Sequence, residues 1–177
     1  KGTALRFLGK LDESLEYYKK STELAPDIPE VLNAYGAALG SVGKFEESIK
    51  YYKEAIKLDR NFADAYANLA TALHKSNNYT EAKEIFDKAI DLKPNNYLLY
   101  SNLAALYQCL GEDEKTFSFY EKSLELNSND SEIYNNMGIA HGEFGRIEKA
   151  VEFYKKALEM NPKKSKFFRH LANTGKL

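Results

Sequence analysis

Tryptophan is absent, and cysteine occurs once, at Cys109. A single thiol excludes an internal disulfide and any all-cysteine metal cage, and it fits a reducing compartment such as the cytoplasm. Proline occurs 4 times and glycine 10 times in 177 residues, so helix and strand breakers are scarce and most of the chain is expected to be regular structure. Neither sign of charge dominates: 25 Lys and Arg stand against 26 Asp and Glu, a net charge of −1. That balance argues against a general nucleic-acid or membrane-surface binder, which needs a basic excess. No run of about 18 apolar residues occurs, so no apolar membrane-spanning helix is expected, and no apolar signal segment opens the sequence. The sequence opens on Lys1 in mid-pattern and is expected to be part of a longer chain.

What the chain does have is a period. Pro26, Pro94 and Pro162 are each 68 residues apart, twice 34. A shift of 34 aligns an aromatic column, Tyr18, Tyr52, Phe86, Tyr120 and Tyr154. A small column precedes it by four residues (Ser14, Ser48, Ala82, Thr116, Ala150) and another follows it by three (Ser21, Ala55, Ala89, Ser123, Ala157). A turn column runs Gly9, Gly43, Asn77, Gly111, Gly145, and a further small column Gly36, Ala70, Ala104, Gly138, Ala172. Four residues before that last column stand Leu32, Tyr66, Tyr100, Tyr134 and Phe168.

Within each copy the spacing is helical. Phe45, Ser48, Ile49, Tyr52, Ala55 and Ile56 share one helix face. Gly or Asn at the turn column suits a helix C-terminus that needs a left-handed residue. Each copy therefore reads as helix A, a turn, helix B and a loop. Neither helix buries its apolar face alone, so stacked neighbours must supply the core. Helices are predicted near 11–24, 31–42, 45–58, 63–76, 79–92, 97–110, 113–126, 131–144, 147–160 and 165–173.

These columns resemble the tetratricopeptide (TPR) repeat. Residues 63–96 carry its pattern as Tyr66, Leu69, Ala70, Ala82, Phe86, Ala89 and Pro94. The family Trp is replaced by Tyr, Phe or Leu, and its Gly is often Ala. The resemblance implies an all-α right-handed superhelical solenoid of antiparallel helix pairs, a single TPR domain over 1–177. It divides into a partial repeat at 1–28, full repeats at 29–62, 63–96, 97–130 and 131–164, and a capping helix at 165–177. A fold of this kind serves many functions.

The resemblance also places the A helices on the concave face. Six residues into each stand Ala34, Asn68, Asn102, Asn136 and His170. A carboxamide has both donor and acceptor and can pair with the N–H and C=O of an extended peptide. Neighbouring helices lie about 8–10 Å apart and an extended chain rises about 3.3 Å per residue, so one Asn would meet roughly every third residue. The column is similar to the asparagine ladder in the TPR arm of O-GlcNAc transferases. Asn is also a common helix-packing residue at this place in the family, and that alternative stays open. The expected peptide-binding set is Asn68, Asn102 and Asn136, with Asn33, Thr71, Lys75, Gln108 and Asn135 around them. The groove is otherwise small and neutral.

Other family sites fit poorly. Some TPR domains clamp the C-terminal carboxylate of heat-shock chaperones with two Lys, one Arg and two Asn. Here the best register offers Ser101 and Ala105 where Lys and Asn are needed, and fixed donors for a carboxylate are lacking. No catalytic, cofactor or metal site is expected. His74, His141 and His170 lie on three different A helices, and His141 occupies a packing position. His74 and Cys109 fall near the concave edge without a third group to orient a dyad. Residues 163–177 hold Lys163, Lys164, Lys166, Arg169 and Lys176 and no acid. The 167–177 stretch FFRHLANTGKL weakly resembles the last helix of bacterial TPR arms that precede a sulfotransferase domain. The expected role is a scaffold that holds an extended segment of another protein. The alternatives are a substrate-presenting arm of a larger glycosyltransferase or sulfotransferase, and self-association through the truncated N-terminal end.

Overall fold

The computed structural model describes residues 11–164 together with Lys166, Arg169, His170, Asn173 and Thr174. Among the described residues there are nine helices and no strand. In chain order they are α1 (Leu11–Leu24), α2 (Pro29–Ser41), α3 (Phe45–Leu58), α4 (Ala63–Lys75), α5 (Tyr79–Leu92), α6 (Tyr97–Cys109), α7 (Asp113–Leu126), α8 (Ser131–Glu143) and α9 (Ile147–Met160). The bounds follow the predicted ones closely. The largest departure is α2, which starts two residues early because Pro29 fills its first turn, where no N–H is needed. The helix predicted at 165–173 and the cap at 165–177 lie largely outside the described residues.

The even-numbered helices are the A helices and the odd-numbered ones the B helices. The chain forms two compact units, Lys1–Pro94 and Asn95–Leu177. In the first, α1 packs on α2, α2 on α3, α3 on α4 and α4 on α5. In the second, α6 packs on α7, α7 on α8 and α8 on α9. In each unit successive A helices also touch, α2 with α4 and α6 with α8.

All four described turn residues take positive φ: Gly43 at 80°, Asn77 at 63°, Gly111 at 72° and Gly145 at 75°. Each closes its A helix with the same pair of bonds. Lys44 N–H donates to Leu39 O at 3.0 Å and Gly43 N–H to Gly40 O at 3.1 Å. The same two bonds recur from Asn78 and Asn77, from Glu112 and Gly111, and from Arg146 and Gly145. This left-handed C-terminal cap satisfies carbonyls the helix cannot pair and turns the chain sharply into helix B.

The columns are the core. Ala55, Ala82, Ala89, Ala150 and Ala157 are fully buried, as are Phe86 and Tyr120. Ser48 and Thr116 are accommodated in a small column because their hydroxyls donate to Phe45 O and Glu112 O. Ser123 does the same by donating to Tyr97 O at 2.8 Å. Ser21, in the first copy, is exposed. Gly36 and Gly138 are required by the aromatic column: a Cβ at Gly36 would lie 2.7 Å from the Tyr52 ring, and one at Gly138 2.6 Å from the Tyr154 ring.

Candidate functional site: the face of the A helices

In the first unit α2 and α4 bring Asn33 and Asn68 together. Asn68 Nδ2 donates to Asn33 Oδ1 at 3.0 Å, and both residues are half-buried. The bond spends one of two donors on Asn68 and leaves its carbonyl oxygen. Around it lie the half-exposed Ala34, Ala37, Ala67 and Thr71, with Lys75 exposed at the helix end. Thr71 Oγ1 donates back to Ala67 O at 2.9 Å.

In the second unit α6 and α8 carry Asn102 and Asn136, both half-buried, beside half-exposed Ala105, Ile139 and Gly142. Gln108 is held from two sides. Tyr120 Oη donates to Gln108 Oε1 at 3.2 Å, and Gln108 Nε2 donates to Glu143 Oε2 at 2.7 Å. Burial, with the charges of Glu143 and Cys109, raises the Tyr120 phenol well above its ordinary value, so it stays a donor.

Asn135 corrects the expected set. It is 1% exposed and therefore cannot reach a bound segment. His170 Nδ1 lies 2.7 Å from its Oδ1, an acceptor, so the imidazole donates. Burial, then Arg169 and Lys166, hold His170 below its ordinary pKa. Asn135 also donates to Asn136 Oδ1 at 3.5 Å, a long contact. It is thus a structural residue that orients His170.

The bonds Asn68–Asn33, His170–Asn135 and Gln108–Glu143 each join residues 35 apart. That offset is one more than the repeat. Comparison at 34 aligns equivalent positions, whereas comparison at 35 finds these three contacting pairs.

Family models for the tetratricopeptide repeat match residues 1–28, 41–107 and 97–163. The chain belongs to the tetratricopeptide repeat family. It shares its fold with TTC0263, a thermophilic TPR protein of Thermus thermophilus, at a TM-score of 0.87 and 22% identity over 99% of this chain and 96% of that one. MamA matches at 0.74 and 29% identity over 93% and 96% of the two chains. YrrB, described as a TPR protein with an unusual peptide-binding site, matches at 0.70 and 19% identity over 99% and 89%. No significant match is found among curated proteins. TPR proteins generally act in protein–protein interaction. No helix among the described residues is long and apolar enough to cross a membrane.

Two other sets of residues complete the TPR array. His74, in the last turn of α4, is buried with its ring 6.0 Å from the Tyr79 ring. Burial and then Lys75 lower its pKa. His141 occupies the expected packing position, sandwiched between Phe117 at 4.0 Å and Phe153 at 5.0 Å. Arg146 covers the other face of this stack at 5.0 Å from Phe117 and pairs with Asp113. Burial, then Lys149 and Arg146, push His141 down to about 4, so it is neutral at pH 7. A cleft of about 360 Å³ opens beside this stack between α7 and α9.

The basic C-terminal stretch also has a partner that composition did not reveal. Lys164 and Lys166 both pair with Glu132 in the first turn of α8, the latter at 2.6 Å. Burial opposes ionisation of Glu132, but the hydrogen bonds and charges of the two lysines prevail and hold its pKa below the ordinary value.

Proposed function

We propose that the A-helix face of each unit holds an extended segment of a partner protein, as a non-catalytic scaffold. Asn68 in the first unit, and Asn102 and Asn136 in the second, contact the segment's backbone. Asn33, Thr71, Lys75 and Gln108 stand around them and tune affinity. The observation that carries this reading is the same in both units: half-exposed carboxamides flanked by small side chains on neighbouring helices. Carboxamides match peptide groups in both donor and acceptor, and small neighbours let a backbone come close. The peptide-binding site described for YrrB, a fold relative, lends further support. Backbone contacts of this kind read few side chains, so several partner sequences are accepted.

The test is affinity capture from native lysate. The baits are the wild-type chain and a variant with Asn68, Asn102 and Asn136 all changed to Ala, both checked by circular dichroism. Loss of a defined set of proteins from the variant is the expected result. Identical capture by both folded baits would show the asparagines to be packing residues.

A further inference from the structure

Gly142 is a glycine that its packing does not require. It lies in the last turn of α8, its φ is not positive, and the left-handed residue of that turn is Gly145. A Cβ there would stand 3.9 Å from Ala150 Cβ and 4.0 Å from the Tyr154 hydroxyl, ordinary van der Waals distances. One turn earlier Gly138 is the opposite case, since a Cβ there would strike the Tyr154 ring. Glycine within a helix is unfavourable relative to alanine, and its common compensations are a special φ or the close approach of a ligand backbone. Here the first is absent.

The second observation is Tyr154 itself. The residue is 6% exposed, and its hydroxyl has no hydrogen-bond partner among the described residues. Among those residues the only side-chain polar atoms both sealed and unpartnered are Asp113 Oδ1 and His141 Nδ1. The Tyr154 hydroxyl is not among them and so reaches solvent, 4.0 Å from where a Cβ at Gly142 would stand. Burial and then the Glu143 charge raise its pKa, so it remains a donor.

The preceding repeat shows what belongs there. Gln108 occupies the position equivalent to Gly142, 34 residues earlier, and its amide carbonyl accepts from Tyr120 at 3.2 Å. In the fourth repeat the phenol is kept and the amide is missing. We propose that Gly142 and Tyr154 form a subsite for a backbone carbonyl of the bound segment, with the Tyr154 hydroxyl donating to it. The absent side chain at 142 lets the segment pass against α8. The subsite rests on the reading of the A-helix face given above and deepens it.

The test uses a displayed library of random 12-residue peptides, selected on the wild-type chain. Selected peptides are synthesised and their Kd measured by fluorescence anisotropy against wild type, Tyr154→Phe, Gly142→Ala, Gly142→Gln and Asn136→Ala. Thermal melts accompany each. Tyr154→Phe is expected to weaken binding about fivefold, the scale of one net hydrogen bond. Gly142→Gln, which supplies an internal carbonyl, is expected to weaken it at least as much. Gly142→Ala should weaken binding while melting no lower than wild type. If Asn136→Ala weakens the peptides and the three subsite variants bind like wild type, the subsite is wrong and the A-helix face stands. If no peptide is retained, or none of the four variants changes Kd, both readings fall.

Discussion

Two glycines one turn apart on α8 face the same tyrosine and should respond oppositely to the same change. Gly138→Ala places a Cβ 2.6 Å from the Tyr154 ring and should destabilise by about 1–3 kcal/mol through overpacking. Gly142→Ala meets only ordinary contacts and should stabilise by up to about 1 kcal/mol. Denaturant melts of the two variants decide this, and a shared sign would contradict the geometry. His141 gives a prediction in pH. Its folded pKa of about 4 lies below the ordinary 6.5, so the unfolded chain binds the proton first. Its contribution is complete above pH 6.5 and is lost as pH falls toward 4. His141→Tyr, the residue its column carries at Tyr107, should flatten that part of the stability–pH curve. At this scale the sequence was informative about His141, whose column marks a packing position. It was misleading about Asn135, because the 34-residue comparison places it beside Asn33 and Ser101 without showing that His170 closes over it. The Asn135–His170 pair lies at a 35-residue offset, one more than the repeat, which a comparison at 34 does not bring together.

At the scale of the element, helix bounds were legible because three independent signals coincide. Apolar periodicity, a left-handed turn residue and small contact columns all mark the same ends, and the structure shows the same C-terminal cap four times. Overpacking a small column should be correspondingly severe. Ala89→Leu or Ala157→Leu, at fully buried sites, should each cost about 1–3 kcal/mol in a thermal or urea melt. A melt unchanged by either would mean the helices are packed in another register. The joining of Lys164 and Lys166 to α8 was not legible, since one acid 32 residues away answers a basic cluster. The Glu132 pKa is held below its ordinary 4.5. Its stabilising contribution is therefore full above that value and lost as pH falls through the lower folded one. Glu132→Gln should remove this dependence, so wild type and variant should differ at pH 6 and converge once pH falls below the folded value.

At the scale of the molecule, the repeat makes stability a sum over neighbouring interfaces, and it separates two surfaces by chemistry. The A helices present carboxamides and small residues, with exposed charge at their ends at Glu30, Asp64, Lys75 and Glu143. The B helices present charge: Lys83, Glu84, Lys155 and Lys156 are exposed. Family and fold could be read from the columns, because a core repeated in every copy leaves a repeated imprint. The identity of a bound segment leaves none, since contacts to a backbone need only amides at the right spacing. The most direct test of the A-helix face is site-specific photocrosslinking. A benzophenone amino acid is placed in turn at Ala37 and Ala105 on A helices, and at Glu84 and Lys155 on B helices, and each protein is irradiated with a peptide selected on the wild-type chain. Adducts from Ala37 or Ala105 and none from Glu84 or Lys155 are the predicted result. Adducts from the B-helix positions alone would contradict the account.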